Sequence, residues 1–235
     1  MNSLNILSGG AAQGLVGSLT PAFRAQTGFD IAGEFGAVGA TADKLRQGTA
    51  ADIVILTAAI VATLAEEKLV AASSIKDIGL VETALAVRAG DPAVTVSNAA
   101  GLRECLLASD AIFVPDIKAS TAGIHVAKVL VQLGTAEAVA TRLRIFPNGA
   151  TAMRELASSD AQRPIGCTQS TEIISTTGVV LSGALPPGCE LATMYTAGIT
   201  TAAAHAPQAQ DLIDLLIGAG QREQRERAGF MSSPK

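Results

Sequence analysis

The stretch FVPDIKASTAGIHVAK, Phe113 to Lys128, decides how the rest of the chain is read. It predicts a short apolar strand over Ala111–Val114, a polar turn, and a helix beginning near Thr121. Ser120 or Thr121 stands where a cap belongs, and Gly123 keeps the first turn uncluttered. The first amides of a helix lack internal partners, and the aligned peptide dipoles add partial positive charge there. Such an end attracts anions without lysine or arginine. Working outward, the same strand–turn–helix unit recurs. Leu4–Leu7 leads through Ser8-Gly9-Gly10 into a helix ending near Ala25. Phe29–Phe35 alternates apolar and polar residues before Gly36-Ala37-Val38-Gly39 opens a helix that ends near Gly48. Asp52–Leu56 reads as a central parallel strand, with Thr57 capping a helix to about Glu67. This β-α order predicts a parallel sheet with helices on its faces.

The 235 residues suffice for one large α/β domain or two lobes. Long strands near Val81–Val87 and Leu191–Thr201 bracket a middle block with its own β/α pattern. The expected division is residues 1–82 with 195–235 as one lobe and 83–194 as the other, with a ligand cleft between lobes. Within the middle block, Ser97 is expected to cap a helix to Leu107, Thr135–Leu143 to form another, and Glu190–Ala203 to run extended. Met231–Lys235 reads as a loose tail. A net charge of −4, a pI near 5.2 and the lack of a basic run argue against nucleic acid. No apolar run is long enough to span a bilayer. The N-terminus has no basic region followed by an apolar one, so the sequence as it stands reads as cytoplasmic, or as periplasmic if it is a trimmed mature form. Cys105, Cys167 and Cys189 lack metal-type spacing and only two histidines exist, so no metal site is expected.

The turns supply the candidate ligand contacts. Ser8, Gly9 and Gly10 can offer amides and a hydroxyl to a carboxylate, and Val38 and Gly39 offer amides from the second helix start. In the middle block, Lys118 is a candidate cationic clamp, and Ser120 and Thr121 are hydroxyls at a helix end. Asn148-Gly149 opens another helix, and Thr168-Gln169 is unusually polar for a turn after an apolar strand. His125, Glu172 and Cys167 are the candidate catalytic groups. Histidine is the best-suited base, because its ordinary pKa lies near neutrality.

Several of these segments resemble a known family. Asn5-Ile6-Leu7-Ser8-Gly9-Gly10-Ala11, Phe35-Gly36-Ala37-Val38-Gly39, Ala51-Asp52-Ile53-Val54-Ile55, Thr121-Ala122-Gly123-Ile124-His125-Val126-Ala127-Lys128 and Pro164-Ile165-Gly166 resemble the molybdate-binding proteins of ABC importers. The resemblance covers almost the whole chain. It implies the type II periplasmic-binding-protein fold: two α/β lobes, two hinge strands, and an oxyanion held by helix N-termini and hydroxyls. Those proteins place a serine where this chain has Ala37-Val38-Gly39, and a tyrosine near the position of Gln169. Phe146–Arg154 and Ile165–Glu172 are similar to a branch of the family that contains aconitate isomerase. That branch implies a cofactor-independent isomerase of a small polycarboxylate, moving a proton across an allylic system. The alternative is a solute-binding protein that passes a small anion, such as molybdate or tungstate, to an ABC permease.

Overall fold

The computed structural model describes residues 2–232. The chain divides into two units, Met1–Val81 with Thr193–Lys235, and Glu82–Ala192. In chain order, unit 1 begins with β1 (Ser3–Gly9), a 3-10 turn (Gly10–Ala12), α1 (Gln13–Thr27), β2 (Asp30–Gly36), α2 (Val38–Arg46), β3 (Ile53–Thr57) and α3 (Ala58–Glu66). The long β4 (Lys76–Arg88) carries the chain from one unit into the other. Unit 2 continues with α4 (Ala99–Ala108), β5 (Ala111–Pro115), α5 (Thr121–Gln132), α6 (Ala136–Val139), β6 (Leu143–Phe146), α7 (Gly149–Ala157), β7 (Pro164–Gln169), α8 (Ser170–Ile174) and β8 (Val179–Ala184). Then β9 (Ala192–Ile199), α9 (Ala206–Ile217) and α10 (Arg222–Arg227) complete unit 1. No described helix is long and apolar enough to cross a membrane.

In unit 1, β1 lies parallel to both β2 and β3, and β3 pairs antiparallel with β9. The four residues Ile53, Val54, Ile55 and Leu56 are each wholly buried, as expected for a central strand covered on both faces. Just before them, the buried Asp52 carboxylate accepts from the Asn5 and His205 amides, each at 2.8 Å, tying β1 and the start of α9 to this strand. Hydrogen bonds to an ionised acceptor are stronger than neutral ones. Changing Asp52→Asn swaps one acceptor oxygen for a donor facing an amide, and it is expected to lower stability by about 2 kcal/mol in urea unfolding. An unchanged midpoint would show that the carboxylate is dispensable.

In unit 2, β5 is parallel to β6 and β7, β7 is antiparallel to β4, and β4 pairs on its other side with β8. The strands alternate strictly between two cores. Ile112, Val114, Leu85, Ile165 and Cys167 face one, together with α4 and α5. Ala111, Phe113, Ala84 and Ala86 face the other, together with α7. This is the period-two pattern of a sheet covered on both sides.

Several boundaries differ from expectation. Asn98, not Ser97, caps α4, its side chain accepting from the Gly101 amide. The helix expected over Thr135–Leu143 shortens to α6 and a 3-10 turn (Ala140–Arg142), where the Arg142 guanidinium donates to the carbonyls of Leu107, Ser109 and Ala138. The extended run from Glu190 ends at Ile199. Met231 pairs with Leu80, so the loose tail begins later than expected, and residues 233–235 of it lie outside the described residues.

Candidate functional site

Parallel strands followed by helices place every turn of interest at the carboxyl edge of its sheet, where α/β proteins bind ligands. In unit 1 the register sets Gly9 level with Gly36, and Ser8 level with Ile55. None of the helix starts after β1, β2 and β3 has a side-chain cap. Gly9 must be glycine: an added Cβ would lie 2.7 Å from Val38 Cγ1 and 3.0 Å from the Tyr195 ring. Val38 is therefore a packing residue against Gly9 as well as the first residue of α2. The Ser8 hydroxyl donates to the Gly9 carbonyl at 2.9 Å, so its proton is turned inward and the expected donor to a ligand is already used. Gly10 is buried in the 3-10 turn, and Gly39 is half-buried in the first turn of α2.

In unit 2, the register pairs Phe113 with both Gly166 and Arg144, which brings the three turns after β5, β6 and β7 to one edge. They are built differently. The turn after β5 is held by Asp116, whose carboxylate accepts from the amides of Lys118 and Ala119 at 2.7 and 2.9 Å. Lys118 itself is exposed. Ser120 occupies the cap position of α5 without a side-chain hydrogen bond, so this helix start, including Thr121, has no side-chain cap.

The turn after β6 is filled from within. The Asn148 side chain accepts from the Thr151 amide at 2.8 Å, an ordinary cap. The carboxyl of Glu172 lies against the backbone of Gly149, where an added Cβ would come within 1.9 Å of Glu172 Oε2 and 2.2 Å of Thr168 Oγ1. Thr168 donates to Glu172 Oε2 at 2.6 Å. Burial pushes the Glu172 pKa up, while that hydroxyl and the amides of Gln169, Gly149 and Ala150 pull it part of the way back. The protein's own carboxyl thus takes the anion seat at the start of α7. Asn148, Gly149, Thr168 and Glu172 form an internal clamp where the sequence had pointed to ligand contacts.

The raised value has a stability consequence. A carboxyl that binds its proton more tightly in the folded than in the unfolded chain contributes fully below the ordinary carboxylate pKa, and that contribution fades as pH rises through the folded value. Glu172→Gln is expected to flatten the decline in stability as pH rises above about 4.5, read from urea midpoints across a pH series. A parallel pair of pH curves would overturn this.

The turn after β7 is the unusual one. Gln169 is only 3% exposed, and neither its Nε2 nor its Oε1 has a hydrogen-bond partner. Thr171 Oγ1, two residues on, is also buried and unpartnered, as is Thr83 Oγ1 on β4. Thr83 and Gln169 are directly opposed in the β4–β7 ladder. The Thr83 amide bonds to the Leu191 carbonyl and its own carbonyl accepts from Leu185, so both point away from Gln169. The two residues therefore form a non-hydrogen-bonded antiparallel pair, whose Cβ atoms lie about 4.5–5.5 Å apart. Buried polar groups are almost always satisfied. Three such side chains lie on one strand pair and the turn that follows it. Thr83 sits inside an apolar strand pattern, and only the register with Gln169 gives it away.

His125 stands on α5 and its Nε2 lies 2.8 Å from the Cys189 carbonyl. A carbonyl only accepts, so Nε2 carries a proton, and the neutral tautomer that fits this bond has its lone pair on Nδ1. Cys189 and Leu191, two residues apart on one segment, thus receive bonds from His125 and from Thr83. Cys167 is excluded as nucleophile or base: its thiol faces the apolar core and burial pushes its pKa up to about 12. A hollow of about 370 Å³ in unit 2 is lined by Pro164, Ile165, Cys105 and Val94, at the amino end of β7, and contains none of the candidate residues. Among the described residues no cluster of three or more His, Cys, Asp or Glu could hold a metal ion.

The fold and edge turns define a class. A family model described as bacterial extracellular solute-binding protein matches residues 4–231, and the chain belongs to that family. An aconitate isomerase from a Pseudomonas species is 25% identical over 244 aligned residues, covering 100% of this chain and 89% of that protein. Among solved structures, the periplasmic molybdate-binding protein of Azotobacter vinelandii has a TM-score of 0.81 at 17% identity, with 99% of this chain and 100% of that one covered. A sulfate-binding protein of Mycobacterium tuberculosis has a TM-score of 0.75 at 16% identity, with 99% and 88% covered. The fold is that of the type II periplasmic binding proteins.

Proposed function

We propose that the chain is a cofactor-independent isomerase of a small polycarboxylate, interconverting cis- and trans-aconitate by an allylic proton shift. The observation that supports this reading is the unpartnered set of Thr83, Gln169 and Thr171, together with a histidine bonded to the same Cys189–Leu191 segment that receives the Thr83 amide. An allylic shift needs a base within reach of an acidic carbon and donors that steady the resulting carbanion as its charge moves into a carboxylate. His125 Nδ1 is the base, oriented through Nε2 by the Cys189 carbonyl, in the way a third group orients a catalytic base. It takes a proton from the methylene carbon, the double bond shifts, and the imidazolium returns a proton to the far carbon. Gln169 Nε2 and the hydroxyls of Thr83 and Thr171 hold the carboxylates. The uncapped start of α5 supplies further amides, and those of unit 1 are a second set of donors suited to the same class of anion. Glu172 acts as a clamp that fixes the β7–α8 turn carrying Gln169. The name of the Pseudomonas relative agrees with this reading.

Family membership favours a second reading, in which the chain binds an anion and hands it to a permease without turnover. One assay separates the two. Purified protein incubated with cis-aconitate should give trans-aconitate at a rate proportional to protein concentration, read by chromatography of the isomers. No conversion, together with stoichiometric molybdate binding, would favour the solute-binding reading.

A further inference from the structure

We propose that the molecule held by Thr83, Gln169 and Thr171 donates a hydrogen bond to Gln169 Oε1, and is therefore an organic acid that keeps an O–H group when bound. This rests on the polycarboxylate reading above. The three side chains are not equivalent. A threonine hydroxyl can donate or accept, so Thr83 and Thr171 adapt to either kind of partner. A carboxamide has fixed polarity, with two donors at one end and an acceptor at the other. Both ends of Gln169 are buried without a partner, so exchanging its nitrogen and oxygen leaves the demand unchanged.

A fully ionised oxyanion, whether tetrahedral or a carboxylate, has only acceptors. It can meet Nε2 but sets its lone pairs against Oε1, or leaves that oxygen dry and unpaired. Sites with a buried polar group discriminate strongly against ligands that cannot pair it. The O–H can come from two sources: a hydroxyl on the carbon skeleton, or one carboxyl that stays protonated in the site. The second suits the isomerisation, because a protonated carboxyl is a better sink for an allylic carbanion than a carboxylate.

The test is isothermal titration calorimetry of the full chain with citrate, with tricarballylate, which has the same skeleton without the hydroxyl, and with cis-aconitate. Titrations at pH 8 and pH 6, in buffers of different ionisation heat, count the protons taken up. If the donor is a hydroxyl, citrate should bind at least tenfold more tightly than tricarballylate at pH 8. If it is a retained carboxyl proton, tricarballylate and cis-aconitate should bind with uptake of about one proton, and affinity should rise about tenfold for each unit of falling pH. In either case Gln169→Met should abolish the preference or the uptake. Thr83→Val should weaken all three acids alike and keep the preference, which guards against a Gln169→Met chain that fails to fold. Equal binding of citrate and tricarballylate at pH 8 without proton uptake would overturn the donor requirement alone. Failure of all three acids to bind would overturn the polycarboxylate reading beneath it.

Discussion

Gly123→Ala is expected to destabilise unit 2 by about 3 kcal/mol, because the added methyl group meets backbone and not a movable side chain. Its Cβ would lie 2.2 Å from the Asp116 carbonyl oxygen and 2.6 Å from both the Asp116 carbonyl carbon and the Pro115 oxygen. Those atoms end β5 and begin the turn whose geometry Asp116 fixes by accepting from the Lys118 and Ala119 amides. Relief requires α5 to back away from the strand. That movement drags Val126, Val129 and Leu130 from the core they share with Ile112 and Cys167, and it displaces His125 from the Cys189 carbonyl. The control is Gly17→Ala in the exposed middle of α1, where the new methyl meets nothing within 4 Å. There, helix propensity predicts a gain of about 0.5–1 kcal/mol. Urea unfolding of both variants provides the comparison. Equal midpoints would mean that the contact of α5 with the end of β5 is looser than the structure shows.

Under the isomerase proposal, His125→Ala should cut turnover of cis-aconitate by roughly 10²–10⁴-fold, the usual contribution of a positioned general base, and leave affinity nearly unchanged. The split matters, since His125 also anchors the 185–190 turn through Cys189, helped by Gln132, which donates to the Gly188 carbonyl at 2.9 Å. A merely structural histidine would lose binding, stability and turnover together. His125→Gln separates the roles further: its amide can still donate to Cys189, yet it offers no basic nitrogen. Turnover is expected to stay lost in His125→Gln while the urea midpoint recovers. Full activity in His125→Gln would remove histidine from the chemistry.

The candidate site was legible in part, and the physical reasons differ from residue to residue. Helix-start turns after apolar strands are written locally in Ser8-Gly9-Gly10, in Gly36–Gly39 and in Lys118–Thr121, so their placement at sheet edges followed from pattern alone. What such turns face is another matter. Asn148-Gly149 has the same local signature, yet its amides are turned toward Glu172, a residue more than twenty positions away, whose carboxyl a sequence reading assigned to catalysis. Cys167 follows the same logic. It stands next to a polar turn, but the period-two alternation of β7 sends its thiol into the core, two positions before the orphaned Gln169.

Apolar runs and alternating strands by themselves determined the α/β class and the order of strands and helices, because those features depend on burial that each short segment carries within itself. Which polar groups are paired inside the protein and which remain unpartnered was decided only by tertiary structure. Hydrogen-bond satisfaction depends on partners brought together by strand register, as with Thr83 opposite Gln169, and by close backbone approach, as with Gly149 against Glu172.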